Sequence, residues 1–456
     1  MKNNKTIEQN IIRFIKKKEL VVPDQKILIG LSGGADSIFA LHFFYKYKGK
    51  LRLNIAAVHV NHNLRGDEGE RDEKFCRDVC QKLEVEFYLA NVEVNDFAKK
   101  NKNSIEEAAR LLRYKEFEKF AKKSNSDLIV TAHNSSDNTE TVLLNIVNGS
   151  GIKGISGIPV KRENIIRPFL IISKNEILDY LKNNKIKYVT DSSNENVNFK
   201  RNYLRNEVIP SLRTNINPSI DSVVFNSSQI LREQSNAIDF FIGKLSEQIV
   251  INEYDRVSIR LSKLDNLPDS IISELFKTIL KKNFEIEYNF KQIEKIKSIL
   301  SLQVGSFVEL GKNVITFRER DKIIILKDEQ IFIDEIPIKI GKNVKVGKKS
   351  LKTEIVKKIP DKFKNDKSEE YISGDLVKNE LKLRPWKIGD RIQLLGMKGT
   401  KKISDVLTDI KISSYEKKNQ LVLVNNNDII WILGQKISDK YKITSQTKRI
   451  IKLCLL

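Results

Sequence analysis

Six consecutive residues, "SGGADS" at 32–37, carry the side-chain types that hold phosphates. They follow the apolar run "KILIGL" and precede the apolar run "IFALHFF". Gly30, Gly33 and Gly34 allow a tight turn and close approach of a ligand to the backbone. A helix starting near Asp36 would aim unpaired amide hydrogens and its positive end into that turn. With the hydroxyls of Ser32 and Ser37, the stretch Ser32, Gly33, Gly34, Ala35, Asp36, Ser37 forms a candidate nest for phosphate oxygens. The pattern Gly-x-x-x-x-Gly-Lys-Ser/Thr is absent, so the loop itself aims no lysine at a terminal phosphate. An acid, Asp36, stands at its mouth instead. A carboxylate beside phosphates makes chemical sense when Mg²⁺ lies between them. A plain glycine turn with a capping Asp or Ser shares these letters; the strand-loop-helix context favours the phosphate site.

Other residues fall into chemically suggestive spacings. Asp137 and Glu140 stand one helical turn apart, directly after "DLIVTAH". Such a pair can receive a cation, either Mg²⁺ or the ammonium of an amino acid, and acids at a helix start also complement its dipole. His133 ends that run, as a core histidine or as a site residue beside the nucleotide loop. Glu106, Arg110, Arg113 and Tyr114 recur three and four apart and so share a helix face, which a solvated, salt-bridged helix would also show. Arg201 and Arg205 lie four apart in "KRNYLRNE", within reach of a phosphate, or simply on the surface. His59 and His62 have no third His or Cys nearby, which argues against zinc. The three cysteines, Cys76, Cys80 and Cys454, are an odd number without paired spacing, which argues against a disulfide framework.

The elements that must position these residues alternate between strand and helix from 26 to 135. "KILIGLS", "LNIAAVHV", "VEFYLA" and "DLIVTAH" read as buried strands; 36–47, 67–84, 104–123 and 136–147 read as helices. Continuous apolar strands alternating with helices imply a parallel sheet covered on both faces. Ligands in such folds sit beyond the carboxyl ends of the strands, where the loops at 32–37, 61–66 and 133–137 converge. A second unit begins near 220, with helical patterns at 219–249, 269–282 and 289–301 and hairpins over 305–327. Residues 328–378 mix short strands with Lys-rich turns, and 380–456 alternate short strands with turns such as "NNND".

At 456 residues the chain is long enough for two or three domains. Its formal net charge of +22 suits a polyanionic partner, although Lys, Asn and Ile are abundant throughout. No apolar run is long enough to span a bilayer. The N-terminal "MKNNKTIEQNIIRFIKKKEL" reads as an amphipathic helix without the apolar core of a signal peptide, so a cytoplasmic location is expected.

"SGGADS" after the first strand resembles the pyrophosphate-loop signature of the N-type ATP pyrophosphatases, which cleave ATP between the alpha and beta phosphates. Within that superfamily the chain is similar to the tRNA(Ile)-lysidine synthetases. "VHVNHNLRGDEGERDEKFC" resembles their His-x-Leu-Arg segment, and "SIEEAARLLRYKEFEKFA" their Glu-x-x-Ala-Arg-x-x-Arg-Tyr helix. "TAHNSSDNTETVLLNIVNGSGIKGISGI" resembles their Thr-Ala-His-His-x-x-Asp-x-x-Glu-Thr stretch. "DSSNENVNFKRNYLRNEVIPSL" resembles the close of their catalytic domain. "LRPWKIGDRIQLLGMKGTKKISDVLTDIKI" and "IIWILGQKIS" resemble their last domain. These motifs run in order over most of the chain, with 215–380 weakly informative. Two departures stand out. Asn134 replaces the second His of the His-His pair, and "YEKKNQLV" lacks the proline of an Arg-x-x-x-Pro element, leaving Lys417 and Lys418 to supply charge.

The resemblance implies an α/β fold: a PP-loop catalytic domain over 1–215, a mostly helical tRNA-binding middle domain over 216–330, a linker or irregular region over 331–379, and a small α+β tRNA-binding domain over 380–456. It implies ATP and Mg²⁺, free lysine, and tRNA(Ile) with a CAU anticodon. No membrane is implied, and a homodimer is among the assembly states left open. The wobble cytidine would be adenylated, pyrophosphate would leave, and lysine would displace AMP to give lysidine. Ser32–Ser37 would hold ATP, with Asp36 on the metal. Asp137 and Glu140 would hold lysine or metal, Arg113 would stabilise developing charge, and His133 would serve the site. Arg201 and Arg205 would hold RNA or nucleotide phosphate. Two rivals remain: a PP-loop tRNA thiolase, for which Cys76-x-x-x-Cys80 has the wrong spacing, and a non-catalytic RNA-binding module with a relict nucleotide fold.

Overall fold

The structure, a computed structural model, describes residues 2–64, 66–190, 200–253, 256–285, 289–327, 335–346, 349–358, 368–377, 380–412, 416–417 and 419–456. Arg65, the stretch 191–199 and Lys418, all singled out from the sequence, lie outside the described residues. Two compact units divide the chain, one ending at Asp239 and the other beginning at Phe240.

In the first unit the elements are α1 (Lys2–Lys17), β1 (Lys26–Gly30), α2 (Ala35–Leu51), β2 (Asn54–Asn61), α3 (Asp67–Lys82) and β3 (Glu86–Asn91). They continue with α4 (Val94–Asn101), α5 (Ile105–Lys123), β4 (Leu128–Val130), α6 (Ser135–Val147) and α7 (Ile152–Ile155). β5 (Lys161–Arg162), β6 (Ile165–Ile166), α8 (Lys174–Asn183), α9 (Lys200–Tyr203) and α10 (Ile209–Asn215) follow, with a π-helical turn at Leu204–Val208. α11 (Ile220–Ile249) runs from this unit into the next.

β1 is apolar at successive positions because helices cover both faces of its sheet. Ile27 and Ile29 point into one core, with Phe39, Phe43, Phe44 and Phe169. Leu28 points into the other, with Phe117, Phe120 and Ile129. The strand order is β3-β2-β1-β4-β6-β5, parallel except for the β5–β6 pair. The chain moves outward from β1 through β2 to β3 and then returns to β1's other side as β4. That reversal is a topological switch point, where loops after adjacent strands diverge and leave a crevice. It brings the loops after β1 and β4 together, as the sequence requires. α8 is fixed to α1 and α2 by the buried Glu8, which accepts hydrogen bonds from Lys46 Nζ, Tyr47 OH and Tyr180 OH, each at 2.7 Å.

In the second unit, β7 (Val250–Asn252), β8 (Arg256–Arg260), β9 (Phe307–Gly311), β10 (Val314–Arg318) and β11 (Lys322–Lys327) form a sheet ordered β7-β8-β11-β10-β9. α12 (Asp269–Phe284) and α13 (Phe290–Lys297) share its core through Leu275, Phe276, Ile279, Ile293 and Ile296. Two further antiparallel sheets follow. One is β12 (Ile336–Ile338), β16 (Leu381–Pro385), β19 (Leu421–Asn425), β20 (Asp428–Ile432) and β21 (Lys436–Ile437). The other orders β13 (Asn343–Val346), β14 (Lys349–Val356), β22 (Ile450–Leu455) and β15 (Glu369–Ser373). Both contribute to one core around Trp431, Leu383, Ile372 and Ile451. A hairpin of β17 (Arg391–Ile392) and β18 (Lys401–Lys402), with α14 (Ile403–Asp409), packs on Val422 and Val424. The stretch 331–379, expected as a linker, supplies strands to both sheets: β13 and β14 form a local hairpin, while β12, β14 and β15 also pair with strands far along the chain, a dependence that the local pattern does not reveal. Among the described residues no helix is long and apolar enough to cross a membrane.

Candidate active site

A cavity of about 590 Å³ opens where the loops after β1 and β4 part. Ser32, Gly34, Asp36 and Ser37 form one wall, and Thr131, His133 and Asp137 another. His59 and His62 enter from the end of β2, Glu106 and Arg113 from α5, and Arg201 and Arg205 from beyond α8.

The loop is built to expose backbone amides. Gly34 caps α2 without any side-chain hydrogen bond to the helix, so the first amides of α2 are left for a ligand. Ser37 braces the turn from within: its Oγ accepts from the Ser32 amide at 3.1 Å and donates to the Gly34 carbonyl at 3.0 Å. Gly33 holds a φ of +85°, which side chains disfavour, and a Cβ there would sit 3.4 Å from Cys76 Sγ. Its carbonyl accepts from the Val189 amide at 2.9 Å. Ala35 is buried against the core behind the loop. At the strand end, a Cβ on Gly30 would strike the Phe117 ring at 2.6 Å, so this position admits no larger residue without rearrangement.

Asp36 is held from two sides. Its Oδ2 accepts from Lys174 Nζ at 2.7 Å, and its Oδ1 from Asn134 Nδ2 at 3.1 Å. Asn134 is also the N-cap of α6: its Oδ1 accepts from the Asp137 amide at 3.1 Å, while Asp137 Oδ2 accepts from the Asn134 amide at 3.0 Å. This capping box fixes Asp137 toward the cavity. Burial, then the neighbouring carboxylates of Asp36 and Glu140, push the Asp137 carboxyl up to about 6.

Glu140 lies one turn further on and is buried. Arg205 grips it at 2.6 and 2.9 Å, and Arg201 Nε reaches it at 2.8 Å. A buried carboxylate needs such partners. Arg205 sits in the π-helical turn, a local widening that is frequent at functional sites. His133 Nδ1 lies 2.9 Å from Thr131 Oγ1. Burial and the positive field of Arg167, Arg201 and Arg113 lower its pKa to about 3, so its imidazole is neutral near pH 7. His59 Nδ1 donates to the Leu31 carbonyl at 2.9 Å, tying β2 to the base of the loop.

Residues 3–212 match the family model described as the PP-loop domain, and residues 381–453 match the TilS substrate C-terminal domain. A tRNA(Ile)-lysidine synthase from Clostridium tetani is 32% identical, over 97% of this chain and 97% of that one. Another, from Bacteroides thetaiotaomicron, is 32% identical over 98% of this chain and 99% of that one. The chain belongs to the tRNA(Ile)-lysidine synthase family. It is a ligase of the PP-loop type, and ATP use goes with that family. Among solved structures, the U34-tRNA thiolase NcsA from Methanococcus maripaludis is 17% identical, with a TM-score of 0.44, over 50% of this chain and 79% of that one.

Most of the site residues expected from the sequence line this one cavity, while Gly33, Ala35, Arg110 and Glu140 are not part of its wall, and two details differ from expectation. Glu140 does not stand free beside Asp137, because two arginines occupy it. Arg201 and Arg205 are partnered with that acid rather than solvated. Among the described residues, no group of three or more His, Cys, Asp or Glu is placed to hold a metal unaided. A Mg²⁺ bound by one or two carboxylates and substrate phosphates does not need such a group. The donor chemistry fits that arrangement: Asp36 lines the cavity, and its charge crowds Asp137.

Sequence reasoning missed Lys174. The signal that could have found its helix is "SKNE", where Ser173 and Glu176 cap each other at the start of α8. Nothing in the local sequence links that helix to Asp36. The two buried cysteines of α3 take no part in the cavity wall. Cys76 lies behind Gly33, and burial pushes the thiols up, Cys80 to about 12. Thiols held that firmly protonated are poor sulfur carriers.

Proposed function

We propose that this enzyme ligates lysine to the wobble cytidine of a CAU-anticodon tRNA(Ile), consuming ATP and releasing AMP and pyrophosphate. The observation that carries the reading is a phosphate loop without a lysine, Asp36 at its mouth, facing arginines and a buried acid pair across one cavity. Family membership over the whole chain narrows the chemistry to lysidine formation. ATP seats on the amides of Ser32–Ser37, with its alpha phosphate toward Asp137. The carbonyl oxygen of the flipped-out cytidine attacks that phosphorus, and the bond to the beta-phosphate bridge breaks. Arg113 faces the charge that develops there. An anticodon-loop base leaves its stack at lower cost than a duplex base.

In the second step the lysine side-chain amine attacks the activated carbon and AMP leaves. The amine must first lose a proton. Asp137 serves as acceptor, because a carboxyl titrating near 6 takes a proton more readily than an ordinary aspartate. Glu140, neutralised by Arg201 and Arg205, orients those cations instead. Neutral His133 offers a hydrogen bond without adding charge. Mg²⁺, held by Asp36 and the nucleotide, would neutralise the departing pyrophosphate. Residues 216–330 and 380–456 hold the rest of the tRNA, chiefly by its backbone.

The test combines ATP, labelled lysine and a CAU transcript, and follows label in RNA together with the nucleotide product. The expected result is one AMP and one pyrophosphate per lysine incorporated. Release of ADP, or label that enters RNA without ATP, would overturn the proposal.

A further inference from the structure

The loop has no lysine in its sequence, yet one reaches it in space. Lys174 opens α8, 138 positions after Asp36, and its Nζ lies 2.7 Å from Asp36 Oδ2. The backbone behind it is anchored. The Lys174 amide lies 3.4 Å from Ser136 Oγ, and Ser136 Oγ donates to Asp221 at 3.2 Å. Asp221 is in turn paired with Arg213 at 2.7 Å. At the other end of the same helix, Tyr180 is bound to the buried Glu8. α8 is therefore a rigid mount, and only the lysine side chain is free to move. That side chain is 39% exposed and Asp36 is 30% exposed, so the pair sits at the mouth rather than within the core.

We infer that Lys174 is the cation of the pyrophosphate subsite, paired with Asp36 before nucleotide enters and donating to a beta- or gamma-phosphate oxygen afterwards. The inference rests on the reading that ATP seats on Ser32–Ser37. Its physical basis is charge. Asp36 cannot meet a polyanion while ionised and unneutralised. In the ligand-free protein Lys174 supplies that neutralisation, and Asn134 fixes the second carboxylate oxygen. Once Asp36 turns to a bound cation, the ammonium is released within a side-chain swing of the loop's amides. A four-carbon stem on a fixed helix lets one charge serve two partners in succession. In a loop of the Gly-Lys-Ser type the lysine is part of the loop and stays with the phosphates. Here it is borrowed, so pyrophosphate can leave as Lys174 returns to Asp36.

The test uses the full-length protein and three probes: inorganic pyrophosphate, ATP and AMP, each titrated calorimetrically with and without Mg²⁺. Lys174→Met is expected to weaken pyrophosphate and ATP at least tenfold in both buffers, while AMP, which lacks the departing phosphates, changes less than twofold. Lys174→Arg, which keeps the charge, is expected to recover most of the pyrophosphate affinity and shows that lost charge, not misfolding, explains the Met variant. Unchanged pyrophosphate binding in Lys174→Met overturns the inference. So does a loss confined to the Mg²⁺ buffer, which would make Lys174 only a holder of Asp36. If the unaltered protein binds neither pyrophosphate nor ATP, the seating of ATP on the loop fails first, and this inference with it.

Discussion

The two units of the chain handle charge in opposite ways. In the first, charges beside the cavity are held in pairs: Asp36 with Lys174, and Glu140 with Arg201 and Arg205. In the second, cations stand in solvent beside bare apolar side chains. Residues 386–400 are pinned at their base, where Arg384 meets Asp390 at 2.7 Å and Trp386 Nε1 donates to the Lys417 carbonyl at 2.5 Å. Beyond that base Ile388 is 98% exposed, and Lys387 and Lys398 are open to water. The contrast fits the proposed division of labour between catalysis and tRNA binding. Transition-state charge is stabilised best by donors already in position. A nucleic-acid backbone is held by solvated cations that release counterions as they bind.

The strongest way to break this comparison is Asp36→Asn. Lysine incorporation is expected to fall about 10³-fold, while tRNA affinity in a filter-binding assay stays within about twofold. Comparable losses in both would merge the two roles. Next, Glu140→Ala leaves two guanidinium groups facing an empty place. Urea denaturation is expected to show a loss of about 3 kcal/mol, and an unchanged midpoint would show that the arginines find other partners.

Asp137→Asn sharpens the same point through pH. The Asp137 carboxyl titrates near 6 in the folded protein against an ordinary 3.8, so the native state binds more protons between those values. Its ionisation therefore costs stability as pH rises through that window, and the cost is complete above about pH 6. His133 runs the other way, its contribution present above 6.5 and lost as pH falls toward 3. Without nucleotide, Asp137→Asn is expected to raise stability at pH 7 by about 1–3 kcal/mol and to leave only the acid-side slope. A variant no more stable than the parent at pH 7 contradicts this assignment.

Smaller effects belong to the second unit. Alanine at both Lys387 and Lys398 is expected to weaken tRNA binding a fewfold and lower the salt slope by roughly 1.5–2, with the KM for ATP unchanged. Smallest of all, Cys76→Ala with Cys80→Ala is expected to leave lysidine formation within about twofold and to cost about 1 kcal/mol per site through lost core volume. Loss of activity there would revive a sulfur-transfer reading.

What the sequence disclosed follows the range of the interactions. The loop, β1 and α2 were legible because strand, turn and helix are set within twenty residues. Asp137 and Glu140 were legible because α6 places neighbours one turn apart. Lys174 was not, since its partner is set by sheet order and not by spacing. β5 and β6, two residues each, give no period to read. The pairing of Arg205 with Glu140 depends on a π-helical turn that no local pattern announces. In 331–379 only β13 and β14 pair locally; β12, β15 and the other edge of β14 find their partners in strands after residue 380, so the stretch read as irregular.

The distribution of the site along the chain has a consequence during synthesis. A ribosome that has made 150 residues has already produced "SGGADS", His133 and both acids of α6. Lys174, Arg201 and Arg205 have yet to be translated. The nascent chain thus holds the phosphate turn and Arg113 but lacks the cations that pair with Asp36 and Glu140, so on the proposed function the site is complete only after these have emerged and folded back.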